Sequence, residues 1–232
     1  MSARLSAPWL LAGAVAVLPA VGLASERCGE DAMIVFDGSG SMAEVGFNDL
    51  AEARILTARR ALSEAIPGVT TGRRTGLVIY GPGAEDSCEN IDLRFPPKFD
   101  AGPKIVAEVE ALEPSGDTPL TAAVERAAEV LRKQGKGGTI LLITDGRETC
   151  DGDPCALAEK LAALDAELTV HVIGFKVRST NFSWQTRGYD MGKTPARCLA
   201  DKTGGQFHSA ESARELEKAI EQTLGCRAIA GL

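Results

Sequence analysis

Residues 32–41 read AMIVFDGSGS, in which five apolar residues lead directly into the loop Asp37-Gly38-Ser39-Gly40-Ser41. An apolar run of this length that ends in a glycine-rich loop is typical of a buried strand. The loop carries one carboxylate and two hydroxyls at alternate positions. Hard oxygen ligands of this kind suit Mg²⁺ or Mn²⁺ and offer nothing to a soft metal. The pattern therefore predicts a cation-binding loop at the end of a buried strand.

Strand patterns alternate with helix patterns along the rest of the chain. Further strands are predicted at 75–80, 91–95, 139–144, 168–175 and 206–209. Helices are predicted at 49–66, 105–112, 120–134, 156–164, 195–203 and 213–224. Pro67 is expected to end the first helix, and Pro96-Pro97 the short hairpin strand. We therefore predict an α/β fold: a doubly wound, Rossmann-like, mostly parallel sheet with one antiparallel edge strand and helices on both faces.

The first 24 residues have the pattern of a secretory signal peptide. A weakly basic start precedes a mostly apolar segment at 10–21, and Gly22-Leu23-Ala24 supplies the small residues that signal peptidase reads. We expect cleavage after Ala24, a single domain at 25–232, and a periplasmic or secreted protein. The apolar core is too short to span about 30 Å of hydrocarbon comfortably, so no membrane association is expected after cleavage.

Charge and cysteine content exclude several classes of partner and site. Loss of residues 1–24 removes one arginine and no acid, which changes the net charge from −7 to −8. Such acidity gives no electrostatic basis for binding nucleic acid. Six cysteines in an exported chain predict disulfides. They are Cys28, Cys88, Cys150, Cys155, Cys198 and Cys226. A cysteine-based zinc or redox site is a disfavoured alternative, since the chain has no C-x-x-C motif.

Two further segments supply oxygen side chains near the ends of predicted elements. Thr118 lies in the loop that leads into the helix at 120–134, and Asp145 directly follows the strand at 139–144. Ligands of open α/β sheets bind beyond the carboxyl ends of the strands, where the strand order reverses. We therefore expect Thr118 and Asp145 to join Asp37, Ser39 and Ser41 around one point.

These segments resemble the von Willebrand factor type A domain family with an intact metal-ion-dependent adhesion site (MIDAS). The family pattern is D-x-S-x-S, then a threonine in a loop, then an aspartate in a T-D-G-like turn, and this chain has each in that order. The resemblance covers residues 29–225. Further motifs, including Tyr80-Gly81 and Asp153-Pro154-Cys155, resemble a bacterial group of secreted single-domain members.

The resemblance implies a division of roles among the five residues. Ser39, Ser41 and Thr118 would contact the metal directly, while Asp37 and Asp145 would act partly through water. Neutral hydroxyl ligands leave the ion strongly electrophilic. An open coordination position would therefore favour an Asp or Glu carboxylate of a partner protein. We expect a non-enzymatic, metal-dependent protein interaction, with the partner and the oligomeric state left open.

An enzymatic alternative is a metal-dependent phosphohydrolase that uses Asp37 as a nucleophile. Such enzymes need a second carboxylate two residues after the nucleophile, and that position is Ser39. The G-x-S-x-G elbow of serine hydrolases is absent as well. Catalysis is therefore the disfavoured reading of this loop.

The expected disulfides follow from the family resemblance and from local spacing. The two termini should lie close together, which favours Cys28–Cys226, a bond that would tether the last helix. For the other four cysteines, Cys150–Cys155 with Cys88–Cys198 is favoured, while Cys88–Cys150 with Cys155–Cys198 stays open.

Two surface segments are candidates for further contacts. The long polar loop at 178–193 contains Phe182, Trp184 and Tyr189, which we take as candidate partner contacts because interface centres favour aromatic residues. Trp184 could instead cover the top of the sheet. A solvated acidic loop is the favoured interpretation of Glu148, Asp151 and Asp153, and a second cation site is the alternative.

Overall fold

The computed structural model describes residues 30–45, 52–84, 87–135, 137–146, 148–164, 167–175 and 195–225. The predicted signal peptide, Cys28, Cys226 and the aromatic residues Phe182, Trp184 and Tyr189 lie outside this set. Within the described residues, no helix is both long enough and apolar enough to cross a bilayer.

Six strands form one sheet in the order β3-β2-β1-β4-β5-β6. Their bounds are β1 Asp31–Asp37, β2 Thr75–Tyr80, β3 Ile91–Lys98, β4 Gly138–Thr144, β5 Leu168–Phe175 and β6 Phe207–Ala210. β3 runs antiparallel to β2 at one edge, and the other pairs are parallel. The strand order reverses between β1 and β4, where this class of sheet forms its ligand crevice.

Helices cover both faces of the sheet, which confirms the predicted α/β fold. One face carries α1 Arg54–Thr70, α2 Gly102–Glu110 and α6 Ala213–Leu224, and the other carries α3 Leu120–Lys133, α4 Pro154–Leu164 and α5 Arg197–Thr203. Alternate residues of β1 enter the two cores, Ile34 on one side and Val35 on the other. A strand buried on both faces has no polar positions, which explains its uninterrupted apolar run. The predicted bounds of β2, β5 and α6 are confirmed.

The prediction that α1 spans 49–66 and ends at Pro67 is wrong. Residues 52 and 53 precede the helix, which begins at Arg54 and continues through Pro67 to Thr70. Thr70 Oγ1 donates to the carbonyl oxygen of Ile66 at 2.8 Å, so a side chain satisfies part of the last turn. Val69 is buried in the core beyond the proline. Tertiary packing of this last turn therefore outweighs the missing proline amide.

The prediction that Pro96-Pro97 ends β3 is also wrong, since the strand continues to Lys98. β3 is an edge strand, paired only with β2. An edge strand tolerates proline because its outer side has no ladder to interrupt.

The structure contains disulfides Cys88–Cys150 and Cys155–Cys198. The favoured pairing, Cys150–Cys155 with Cys88–Cys198, is wrong, and the pairing left open is confirmed. Cys155 lies in the first turn of α4, which packs against α5, where Cys198 is found. Cys150 lies in the loop after β4, beside the loop between β2 and β3. Two such bonds favour an oxidising compartment.

Replacement of Cys155 and Cys198 by serine should destabilise the fold. The bond closes a loop with a sequence separation of 43 residues. Its loss should lower the free energy of unfolding by about 2–4 kcal/mol, through greater freedom of the unfolded chain. Chemical denaturation measures this change, and non-reducing peptide mapping checks the pairing. A map that joins Cys150 to Cys155 would contradict the structure.

His171 should make stability depend on pH. Burial, with His208 and Arg73 nearby, lowers the pKa of His171 to about 4, and its Nδ1 accepts a hydrogen bond from the Gln206 amide at 3.0 Å. An unfolded histidine has a pKa of about 6.5. Between these values unfolding takes up a proton, so stability is complete above the unfolded pKa and falls as the pH falls towards the folded one.

The variant His171→Asn isolates this contribution, because the asparagine side-chain oxygen can replace Nδ1 as the hydrogen-bond acceptor without titrating. We expect the wild type to lose about 1–2 kcal/mol more than the variant between pH 7 and pH 4.5, a value reduced for the half-buried position of the ring. Denaturation curves at both pH values measure it. Equal losses in the two proteins would rule out this role.

Candidate metal centre

Three segments bring the five candidate residues together at the carboxyl end of the sheet. Asp37 ends β1 and Asp145 directly follows β4, so the two carboxylates leave neighbouring parallel strands. Thr118 comes from the loop before α3. A Cβ placed on Gly146 would lie 3.5 Å from Ser41 Oγ and 4.0 Å from Thr118 Oγ1, so both hydroxyls lie near this glycine. The absence of a side chain at Gly146 leaves that space open.

The serine hydroxyls are oriented by the two buried carboxylates. Ser39 Oγ donates to Asp37 Oδ1 at 2.6 Å, and Ser41 Oγ donates to Asp145 Oδ1 at 2.7 Å. Each serine has a single hydroxyl proton, and these short contacts direct both protons to the carboxylates. The two Oγ atoms are 3.1 Å apart, and each keeps lone pairs that its contact with a carboxylate does not use. Such a pair of oxygens is suited to a small hard cation.

Asp37 is held rigidly in the interior. Its Oδ1 also accepts the Ser39 amide at 2.9 Å, and its Oδ2 accepts Thr144 Oγ1 at 2.7 Å. The loop comes so close to the end of β2 that a Cβ on Gly81 would lie 2.4 Å from the Ser39 nitrogen. Gly81 also has a φ of +105°, which favours glycine. The close approach of Ser39 and the positive φ therefore both require glycine at position 81.

Arg54, a residue that sequence reasoning missed, lies directly beside Asp145. The side chain is fully buried, and its Nη1 donates to Asp145 Oδ2 at 2.9 Å, to the Ser41 carbonyl at 2.8 Å and to Glu44 Oε2 at 3.0 Å. The available signal was an arginine in the apolar stripe of α1, four residues before the buried Ala58. Because the helix was predicted to begin at residue 49, Arg54 was placed inside it. In the structure Arg54 is the first residue of α1, and its side chain contacts the loop after β1.

The charges at this site leave an excess of negative charge in a buried setting. Burial, reinforced by the nearby charge of Asp37, raises the pKa of Asp145 to about 7, while Ser41 and Arg54 oppose the shift. Two carboxylates thus face one guanidinium in the interior. The side chains therefore supply one positive charge for two negative ones. A bound cation would offset the remaining repulsion between the carboxylates.

The Thr118 loop is fixed by its neighbour after β4. The Thr118 amide donates to Thr149 Oγ1 at 2.8 Å, and the Thr149 amide donates to the Thr118 carbonyl at 3.2 Å. The next residue, Cys150, is bonded to Cys88. A disulfide therefore braces the segment that holds Thr118.

The acidic residues beyond Asp145 act mainly as helix caps. Glu148 Oε2 accepts the Thr121 amide in the first turn of α3 at 2.7 Å. Asp153 Oδ1 accepts the Cys155 and Ala156 amides in the first turn of α4, at 2.9 and 3.0 Å. Carboxylates engaged in this way satisfy amides at helix starts, and the second-cation alternative gains no support from them.

Known proteins similar to this chain in sequence or in fold were found. Residues 32–148 match the family model of the von Willebrand factor type A domain. The uncharacterized protein YwmD of Bacillus subtilis is 28% identical over 229 residues, covering 92% of this chain and 96% of that protein.

Two solved structures illustrate the structural likeness. An aerotolerance-related membrane protein from Bacteroides fragilis has a TM-score of 0.62 at 20% identity, over 84% of this chain and 98% of that one. Proximal thread matrix protein 1 from the mussel byssus, with a zinc-occupied MIDAS motif, has a TM-score of 0.57 at 18% identity, over 86% of this chain and 46% of that one. These two likenesses establish the fold alone. The family match covers just over half of the sequence and includes all five candidate residues, so the chain belongs to the von Willebrand factor type A domain family.

Proposed function

We propose that this protein binds a divalent cation, Mg²⁺ or Mn²⁺, and uses it to engage an Asp or Glu carboxylate of a partner protein. The observation that carries the proposal is the pair of serine oxygens 3.1 Å apart, whose protons are directed to buried carboxylates. The donor set contains only oxygen, which favours a hard ion. The zinc in the mussel protein makes Zn²⁺ the first competitor to test.

Each residue has a distinct part in this proposal. Ser39, Ser41 and Thr118 would hold the ion through neutral oxygens, and Asp37 and Asp145 would orient the serine hydroxyls. When bound, the ion would supply Lewis acidity for an anionic oxygen of the partner. Arg54 neutralises part of the charge of Asp145. The two carboxylates would therefore reduce the electrophilicity of the bound ion less than two unpaired carboxylates would.

The partner surface and the compartment belong to the same proposal. Phe182, Trp184 and Tyr189, which lie outside the described residues, remain candidate contacts to the partner protein. Export, with the signal peptide at 1–24, is supported by two disulfides among the described residues. The resemblance to a membrane protein of Bacteroides fragilis is compatible with a role outside the cytoplasm.

A binding role fits the geometry better than catalysis. An Asp37 nucleophile of the phosphohydrolase type would need a second carboxylate two residues later, where this chain has Ser39, which bonds to Asp37 itself. Ser39 Oγ donates to that same carboxylate, and the sequence Gly38-Ser39-Gly40-Ser41 around it is not the G-x-S-x-G elbow of serine hydrolases. The cysteines at 88, 150, 155 and 198 form disulfides between different elements, which disfavours a cysteine-based zinc or redox site.

The variant Asp37→Asn should abolish stabilisation by Mg²⁺. An ion at a hundredfold excess over its Kd raises the free energy of unfolding of the wild type by about 2.7 kcal/mol. The amide keeps the shape of the side chain and removes the charge, so the variant should show little gain. Thermal denaturation with and without Mg²⁺ measures the effect. Asp92→Asn, an exposed carboxylate paired with Arg94 on β3, is the matched control and should respond like the wild type.

Equal Mg²⁺ responses in Asp37→Asn and the wild type would refute the metal assignment. The partner step has its own test, which is co-purification of the wild type with and without a chelator. Retention of the same partners in both conditions would refute the metal-dependent interaction.

The variant Arg54→Met should destabilise the metal-free protein and enlarge its response to Mg²⁺. Removal of one member of a buried ion pair costs about 3–5 kcal/mol, because Asp145 is left uncompensated. A bound cation would restore positive charge beside Asp145 and recover part of the loss. Arg60→Met, on the same helix as Arg54, removes an exposed ion pair with Glu52, which precedes the helix, and should cost less than about 1 kcal/mol. Equal Mg²⁺ gains in Arg54→Met and the wild type would contradict this role.

A further inference from the structure

Exposed cations that form no ion pair are concentrated on one part of the surface. The chain is acidic, with a net charge of −7, and exposed cations such as Arg60, Lys160 and Lys202 pair with acids. Among the residues that the structure describes, the exposed cations without such a pair are Arg214 and Lys218 on α6, and Lys98, Lys104, Arg132 and Lys133. The last four come from the edge strand β3 and from α2 and α3.

Two of these lysines lie beside an exposed phenylalanine. Lys98 Nζ on β3 and Lys104 Nζ on α2 lie 4.8 and 4.9 Å from the centre of the buried Phe95 ring, so the two cations are close together. Phe99 follows Lys98 directly and is 53% exposed. Asp100, an exposed acid, comes next with a φ of +54°, and the chain turns sharply there. Phe99 therefore projects from the turn between β3 and α2.

Arg74 joins this turn to the end of α3. Its Nη2 donates to the carbonyl oxygen of Pro97 at 3.0 Å and to Gln134 Oε1 at 3.3 Å. Gln134 directly follows the two cations in the last turn of α3. Arg74 itself is paired with Asp31 at 3.0 Å, so its own charge is offset. The remaining side chains form one surface, the basic patch, which consists of Lys98, Phe99, Lys104, Arg132 and Lys133.

The basic patch lies at the end of the sheet opposite the candidate metal centre. Lys98 is in register with Thr75, the first residue of β2, whereas Asp37 is in register with Tyr80, the last residue of that strand. The length of β2 between these two residues is about 16 Å. A surface bound at the basic patch would therefore leave the metal centre facing away from it.

We propose that the basic patch binds the surface of a bilayer that contains anionic phospholipid. The four cations lie on three different elements around one projecting ring, an arrangement that suits a continuous anionic surface rather than a single carboxylate. In the bound protein the cations contact lipid phosphates, and the Phe99 ring enters the headgroup region. Attraction to anionic lipid and burial of apolar area are the two contributions that hold proteins at a membrane surface.

The acidity of the whole chain does not oppose this contact. The Debye length at physiological salt is about 8 Å, so a bilayer at the basic patch senses mainly the charges close to it. Surface contact also needs no membrane-spanning segment, and the short apolar segment at 10–21 has no bearing on it. The inference goes beyond the proposed function, because no residue of the basic patch belongs to the candidate metal centre.

The experiment measures sedimentation of the predicted mature chain, residues 25–232, with lipid vesicles. One set of vesicles contains phosphatidylglycerol and phosphatidylcholine in equal parts, and the other contains phosphatidylcholine alone. We expect the protein to sediment with the anionic vesicles only. Binding should be lost at about 1 M salt, where the Debye length falls to about 3 Å. A chelator should not change it.

A pair of charge variants tests the cations. Each lysine or arginine near an anionic surface contributes about fivefold to affinity. Lys98→Gln combined with Lys104→Gln should therefore weaken binding about tenfold or more. The matched control is Arg214→Gln combined with Lys218→Gln, which removes the same charge from α6 and should bind like the wild type. Thermal denaturation checks that both double variants remain folded.

A pair of apolar variants tests the projecting ring. Phe99→Ser should weaken binding to the anionic vesicles, whereas Leu164→Ser, at a position 56% exposed in α4, should not. In Phe99→Trp, the new indole should show a blue-shifted fluorescence when anionic vesicles are added, beyond any change in the wild-type signal of Trp184. An unchanged emission would contradict insertion of this side chain.

Several results would overturn the inference and leave the proposed function intact. They include equal binding to the two kinds of vesicle, no binding to either, and wild-type binding by the Lys98 and Lys104 double variant. Binding to soluble polyglutamate but not to vesicles would assign the basic patch to an acidic protein partner instead. Self-association that the same double variant abolishes, without vesicle binding, would assign it to a second copy of the chain.

Discussion

The pairing of serine hydroxyls with two buried carboxylates is the constraint on which the rest of this site depends. Asp37 and Asp145 lie at the ends of adjacent parallel strands, so their charges come close together in the interior. Burial of two like charges is unfavourable unless each is hydrogen-bonded and partly neutralised. Ser39, Ser41 and Arg54 meet that requirement. Compensation of these two buried charges therefore positions both the start of α1 and the loop after β1.

The same constraint would link the stability of this fold to the cation binding proposed above. The proposed cation would enter a site that already holds excess negative charge, and burial together with the charge of Asp37 raises the pKa of Asp145 there. Arg54 offsets part of this negative charge from within the chain, and the disulfide Cys88–Cys150 braces the neighbouring loop.

Residues close together in sequence were the most predictable part of this protein. The apolar run of β1 and the helical spacing of α6 follow directly from periodicity, and their bounds agree with the structure to within one residue. Two predictions based on proline were wrong, the end of α1 at Pro67 and the end of β3 at Pro96. The effect of a missing amide depends on whether packing or an open sheet edge compensates, and neither is visible in a local pattern.

The sequence by itself determined the α/β class and the order of the oxygen-bearing residues, because strand and helix periods and short motifs are local properties. Tertiary structure alone decided that Ser41 bonds to Asp145 across 104 residues, and that Arg54 enters the site. It also decided that Cys88 meets Cys150. Each of these contacts depends on which strands are neighbours and where a helix begins. The physical reason is that charge compensation and cross-linking act through space, and chain topology sets those distances.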